Sequence, residues 1–361
     1  MTKQESIKKR SNSARKKWCK PLLVVLFVIL NIVVITATAV SEFGNSQNAA
    51  KLSEVRINWW LLLPTILCFL IAVVADISKY ALMIKRLSPT KKRSKSDVWK
   101  VARRTVLLGR YYDNITPAAV GGQPFQIYYM RKNSDLPAGA STSIPMFGMI
   151  SLQIAFILIA LVCFLFGGVA GDYPALIVTA WIGLLFYAFW PMMVVGVSFF
   201  PKTTTIFIKW IVKILAKIKI VKNCERTLVK VENEVEEYVE SVKMILKTRG
   251  LFWQTLALSL IFNMFIATIP FFVLTAFGGD VNFWECFGTT VAVMSAIYFI
   301  PTPGNSGAAE GTFFIVFSAL STGYVFWAML VWRLFSYYIY VIIGLIIYFV
   351  MHLEKKRAKI K

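Results

Sequence analysis

Histidine is almost missing from this chain: His352 is the only one in 361 residues, at the end of the last apolar run and beside a basic tail. Any mechanism that needs a Ser/His or Cys/His pair is therefore nearly excluded. The five cysteines (Cys19, Cys68, Cys163, Cys224 and Cys286) have no paired spacing, and two lie inside apolar runs. They suggest neither a disulfide framework nor a metal site. Acidic residues are scarce too, 18 against 40 Lys and Arg. In a soluble protein that imbalance would point to nucleic acid, but here the basic residues fall between apolar spans, so no nucleic-acid partner is expected. The segment TPGNSGAAEG at 302–311 lacks the Lys and Ser/Thr ending of a nucleotide loop, which removes ATP binding. No cofactor and no catalytic residue is expected.

Apolar sequence is what the chain has in excess. With 57% hydrophobic residues and a mean hydropathy of +0.64, it carries more than one soluble core of this length could hide. The expected fold is all-α, a polytopic membrane helix bundle. Runs long enough to cross a hydrocarbon core of about 30 Å occur near 21–40, 59–80, 143–168, 175–199, 252–277 and 326–351. The first follows eight basic residues and imitates a secretory signal, yet no convincing small-residue cleavage site follows it, so it reads as a first span.

Lys and Arg number eight in 1–20, ten in 85–110, eleven in 200–250 and five in 352–361, against two in 41–58 and none in 169–174. The positive-inside rule then places both termini and the long basic loops in the cytoplasm, consistent with an even number of spans. The expected organisation is a basic cytoplasmic N-terminus (1–20), a membrane domain (21–351) and a basic cytoplasmic tail (352–361). Within 200–250, the interleaved apolar and Lys residues of 206–222 suggest a helix on anionic headgroups. A stripe from Val231 to Ile245 suggests packing on the bundle, or less readily a partner helix.

Two apolar regions, 101–131 and 283–323, are broken near the middle by proline and glycine. The first is flanked by basic clusters and should enter from the cytoplasm; the second should enter from outside. Both read as re-entrant hairpins. Thr116, Pro117, Gly121 and Gly122 fall on Thr302, Pro303, Gly307 and Ala308 at an offset of 186 residues. Interrupted segments in corresponding positions and opposite orientation are the mark of an inverted repeat with its site near the midplane.

Ionisable groups within such regions mark candidate sites. Arg333, two turns into the last span, needs an anionic partner, and Glu310 is the nearest acid at plausible depth. They form a pair, or Arg333 meets a lipid phosphate while Glu310 balances it. Asp76 reads as an interfacial cap facing Lys79 rather than a functional group. In the first hairpin Arg103, Arg104 and Arg131 are explained by topology. Arg110, Asn114 and Gln123, around a Gly-rich break, could hold a phosphate with backbone N–H groups. The substrate-facing set is Arg110, Asn114, Thr116, Gly121, Gly122 and Gln123 with Thr302, Gly304, Asn305, Gly307, Glu310 and Arg333. The glycines would allow close backbone approach.

The segments NITPAAVGGQPFQIYYMRK (114–132) and IPTPGNSGAAEG (300–311), each set in a membrane bundle, resemble the lysylphosphatidylglycerol synthase transmembrane-region family. The same family is described as the flippase-like domain of multiple peptide resistance factors. The resemblance covers residues 20 to 350 or so, and rests most on Pro301, Thr302, Pro303 and Gly304 followed by small residues and Glu310. Asn305 stands where many members have a second Gly. In the first motif Pro117 and Gly121 fit, while Ala118 and Val120 occupy a stretch often basic in other branches, a departure that bears on substrate more than fold.

The resemblance implies movement of a phospholipid or glycolipid between leaflets of a bacterial cytoplasmic membrane, lysyl-phosphatidylglycerol being the type lipid, with an effect on surface charge and cationic-peptide resistance. Expected partners are membrane lipids and a separate lipid-synthesising transferase. Full-length synthases append a soluble aminoacyl-transferase domain. Nothing after His352 could be that domain, so lysyl transfer by this chain alone is not expected. The alternative is a phosphatidylglycerol lysyltransferase, or an accessory membrane subunit of a lipid-modifying synthase.

Overall fold

A computed structural model describes residues 57–88, 94–119, 121–169, 174–199, 250–298, 300–321 and 324–360, with isolated positions at 36, 40 and between 203 and 248. The expected first span, 21–40, and the two stripes within 200–250 lie outside the described residues apart from those positions.

The described residues are helical, with no strand among them. After a short turn at Trp59–Leu61 come α1 (Leu62–Leu87), α2 (Lys95–Ile115), a 3-10 turn at Pro117–Ala119, α3 (Gly122–Asn133), α4 (Ala138–Leu165) and α5 (Pro174–Phe199). Then follow α6 (Leu251–Ala276), α7 (Phe283–Ile297), a 3-10 turn at Pro303–Asn305, α8 (Ala308–Leu320), α9 (Val325–Arg333), a π-turn at Leu334–Tyr338 and α10 (Ile339–Ile360).

Local chemistry sets the boundaries. Ser94 caps α2 through the Ser96 N–H, and Asn282 caps α7 by accepting from the N–H groups of Trp284 and Glu285. Lys85 and Arg86 close α1, and Arg131 and Lys132 close α3, each cation complementing the negative end of a helix dipole. Pro145 in α4, Pro191 in α5 and Pro270 in α6 interrupt helices that neighbouring helices hold.

Among the described residues, four stretches are long and apolar enough to cross a membrane: Trp59–Leu87, Gly139–Leu165, Leu251–Ala276 and Val325–Glu354. They correspond to the runs expected at 59–80, 143–168, 252–277 and 326–351. The expected span at 175–199 is helical as α5, which runs from Pro174 to Phe199. The last helix continues past the expected boundary at 351 to Ile360, so the basic tail prolongs α10.

The element pattern repeats. Adding 186 to α1, α2, the first turn, α3 and α4 falls on α6, α7, the second turn, α8 and the α9–α10 helix. The turns coincide residue for residue, Pro117–Ala119 on Pro303–Asn305. Thr116 and Thr302 both lead in with extended backbone, and the third turn residue is left-handed in each, Ala119 at φ 51° and Asn305 at φ 54°. These two are the only non-glycine residues with positive φ among those described.

Packing follows the repeat. The equivalent helices α1 and α6 form the most extensive helix pair, and the two turns pack on each other. The α2–α10 contact is matched by α7–α4, and α3–α4 by α8–α9. Among the described helices only α5, packed on α7 and α4, has no counterpart. The main core joins α1, α6, α7, α8 and α9 around stacked Phe313 and Trp332, their ring centroids 4.6 Å apart. Leu63, Ile66, Leu67, Leu70 and Val74 form an outward-facing apolar stripe on α1, as a lipid-facing helix requires.

Candidate functional site

The two broken helix pairs meet at a cavity of about 270 Å³. Its wall includes Arg110, Asp113, Asn114 and Ala119 from the first pair, and Ile297, Tyr298, Gly304 and Asn305 from the second. Helices α4, α5, α6 and the π-turn region add Leu152, Phe156, Tyr187, Phe262, Asn263, Trp332, Arg333, Ser336 and Tyr340.

Each pair brings one arginine to the cavity, and they are held differently. On α1, Asp76 and Lys79 are three residues apart and so share a face. Lys79 Nζ lies 2.8 Å from Asp76 and donates to the Gly148 carbonyl at 3.1 Å. Arg110 reaches the same carboxylate from α2, with Nη2 at 2.9 Å and Nε at 3.3 Å from Oδ2. Two cations thus surround the Asp76 carboxylate, and Asp113, one turn along α2 from Arg110, adds a second acid nearby, on the cavity wall. Of the five guanidinium N–H groups, two are directed at Asp76. The Arg110 side chain is 26% exposed, stacked over the Phe262 ring with the guanidinium carbon 4.5 Å from its centroid.

Arg333 is enclosed by its own half. Its Nε donates to Glu310 at 2.6 Å, both terminal nitrogens donate to the Gly304 carbonyl at 3.2 and 3.3 Å, and Nη2 also donates to Ser306 Oγ at 3.1 Å. The other Glu310 oxygen accepts the Gly307 N–H at 2.7 Å. Glu310 and Arg333 are buried, and the pair is electrically balanced. The guanidinium grips the turn because Gly304 is left-handed there, at φ 59°, and lies so close to the Tyr337 ring that a Cβ would overlap it.

Asp76 therefore corrects the sequence expectation. It faces Lys79 as expected, but it is only 3% exposed and binds Arg110, so it is an interior partner rather than an interfacial cap. The pairing depends on α1 lying along α2, which the spacing within α1 does not reveal.

A second correction concerns the backbone N–H groups expected to cradle a phosphate. The Gly121 N–H donates to Thr116 Oγ1 and the Gly122 N–H to Asp113, both at 2.9 Å. Gly307 donates to Glu310 in the same manner. These N–H groups are engaged by the chain's own side chains.

The family model described as Lysylphosphatidylglycerol synthase TM region matches residues 22–344. The chain belongs to this family. With its four apolar crossing helices, it is an integral membrane protein. No curated protein and no solved structure matches it. In this family member, both broken helix pairs and the whole cavity fall inside the matched region.

Of the expected substrate-facing residues, Arg110, Asn114, Gly304, Asn305 and Arg333 line the cavity. Glu310 lies behind Arg333 as its partner. Thr116, Gly121 and Gly122 build the first turn, and the Thr302 hydroxyl donates to the Ser306 carbonyl at 2.9 Å, bracing the second. Gln123 and Gly307 sit in or beside the first turns of α3 and α8 and are not part of the cavity wall.

Several wall residues escaped sequence reasoning: Asn263, Tyr187, Tyr298, Ser336 and Tyr340. Asn263 carried a usable signal, an amide in the middle of an apolar span. Its Nδ2 donates to the Leu152 carbonyl on α4 and to Ser259 within α6, both at 3.0 Å. Ser336 lies in the π-turn, a local widening found often at functional positions and not foreseeable from composition.

Proposed function

We propose that this protein moves a lipid between the leaflets of a bacterial cytoplasmic membrane, the headgroup passing through the cavity while the acyl tails stay in lipid. Arg110 holds the lipid phosphate. The observation that carries this reading is the unequal state of the two arginines: Arg110 reaches the cavity with a partly exposed side chain and two N–H groups on Asp76, whereas buried Arg333 has four N–H bonds to its own half. Arg333 and Glu310 form the brace that keeps the second turn in place.

In the membrane arrangement that goes with this reading, both termini are cytoplasmic and six spans cross. The α2–α3 pair dips in from the cytoplasm and the α7–α8 pair from outside. The helix α5, unmatched among the described helices and lying between the two halves, supplies the odd crossing that inverts the second half relative to the first. Broken backbone at membrane depth is tolerated because the two turns pack on each other and line a cavity. The sequence carries no nucleotide loop, so a lipid gradient or an ion gradient drives movement.

Leaflet exchange of a labelled phospholipid in liposomes holding the purified protein, with no tRNA present, tests the reading. Exchange should depend on Arg110. Arg110→Gln removes a charge-assisted bond of about 1.5–3 kcal/mol, or roughly ten- to hundredfold in apparent affinity for the lipid. The family description supports a second reading, a membrane part of lysylphosphatidylglycerol synthesis working with a separate transferase. Lysyl-lipid formed from lysyl-tRNA by the same liposomes, without leaflet exchange, would establish that reading in place of the first.

A further inference from the structure

We infer that the headgroup accepted by this cavity is a phosphate carrying an uncharged polyol, a glycerol or a sugar, and not an aminoacylated one; the inference rests on the cavity being the lipid's path.

Its basis is a mismatch between the polar groups left open and those already engaged. The Tyr340 hydroxyl and the Ser336 hydroxyl are buried, have no hydrogen-bond partner, and belong to residues lining the cavity. Tyr340 is only 5% exposed. Buried polar atoms in native proteins are paired as a rule, so two open hydroxyls on one wall call for a complementary ligand. Each can both donate and accept, which is what a neighbouring alcohol needs and a bare ammonium cannot fully use. A third open atom, Gln153 Oε1, lies one step back: Gln153 Nε2 donates to the Tyr298 hydroxyl at 3.3 Å, and Tyr298 is on the wall.

Carboxylates give the opposite result. A lysyl ester brings two ammonium groups, each needing an anionic or strongly accepting partner once taken from water. Asp76 is shared by Lys79 and Arg110, and Glu310 is held by Arg333 and the Gly307 N–H. Asp113 is the only acid on the wall among the described residues, and one of its oxygens caps α3 through Gly122. The cavity therefore offers one cation for a phosphate, open hydroxyls for a polyol, and no free pair of anions for a lysyl group.

Three labelled lipids separate the possibilities in the same liposomes: phosphatidylglycerol, phosphatidylethanol, which keeps the phosphate and lacks the hydroxyls, and lysyl-phosphatidylglycerol. The wild-type protein should exchange phosphatidylglycerol about tenfold faster than either other lipid, the size of one to two well-placed hydrogen bonds. Tyr340→Phe should lower phosphatidylglycerol exchange several-fold more than phosphatidylethanol exchange, and so remove most of that preference. Equal or faster exchange of lysyl-phosphatidylglycerol by the wild type, or an equal loss for all three lipids in Tyr340→Phe, overturns the inference while leaving translocation standing. Exchange of none of them sinks translocation instead. Thermal protection of the wild-type protein in detergent by the three lipids then still decides the headgroup: greater protection by phosphatidylglycerol supports the polyol, and equal protection overturns it. Free glycerol 3-phosphate, added as a competitor, should slow exchange less than the lipid itself does; equal competition would make the ligand a soluble phosphate and overturn a lipid source.

Discussion

The two broken helix pairs share a backbone and differ in how they use charge. Both have an extended threonine, a 3-10 turn that starts with proline, and a left-handed third residue, in the same register. Yet the first turn is tied by uncharged Thr116 and by Asp113, leaving Arg110 to the cavity, whereas the second is clamped by Arg333 and Glu310. The repeated backbone thus supplies two facing turns, and the unrepeated side chains leave the first arginine partly exposed at the cavity and enclose the second in a brace. Asymmetry of this kind is needed if a polar path is to hold a headgroup on one side without two cations trapping it.

The comparison breaks most severely at the brace. Glu310→Ala should lower stability by about 3–5 kcal/mol, because it leaves the buried Arg333 guanidinium without its counter-charge and also frees the Gly307 N–H. The thermal midpoint in detergent reads this. Replacing both partners, Glu310→Gln with Arg333→Met, should recover a large part of the loss, since an uncharged well-packed pair leaves no orphaned ion. If Glu310→Ala proves as mild as a surface change, below about 0.5 kcal/mol, the clamp is not what holds the second turn.

How far the sequence foretold this arrangement varies by interaction range. Helix positions were legible because apolar runs of span length leave few alternatives. The turns were legible because proline and glycine at matched positions punctuate apolar sequence, and the offset of 186 found there extends to whole helices. Glu310 and Arg333 were legible as a pair since each is a lone charge of its sign within an apolar stretch of sequence. The Asp76, Lys79 and Arg110 cluster was not, since its third member comes from another helix across a loop. Nor were the open hydroxyls of Ser336 and Tyr340. Serine and tyrosine are unremarkable in an apolar helix, and only the packing shows whether their oxygens have partners.

A smaller effect is expected at the turn the brace grips. Gly304→Ala should cost about 1–3 kcal/mol, since alanine at φ 59° is strained and its Cβ would overlap the Tyr337 ring. The loss should appear in the thermal midpoint and in lipid exchange together, because the Gly304 carbonyl accepts from Arg333 while the residue lines the cavity. A change in exchange with an unaltered midpoint would separate the brace from the wall.

The smallest expected effect tests the repeat itself. Ala119 is left-handed at φ 51°, a conformation that costs a non-glycine L-residue about 1–2 kcal/mol. Glycine removes that cost but has more unfolded-state freedom to lose, about 0.5–1 kcal/mol. Ala119→Gly should therefore raise stability by about 0.5 kcal/mol, the difference between these two terms. Its counterpart Asn305, at φ 54°, is a residue type that tolerates this region, so Asn305→Gly should change stability little or lower it slightly. A gain at 119 with none at 305 would show one backbone geometry made by two different residue choices. A loss at Ala119 as large as the Gly304→Ala loss would mean that the first turn does not hold the conformation its partner has, and the correspondence between the halves would stop at the helices.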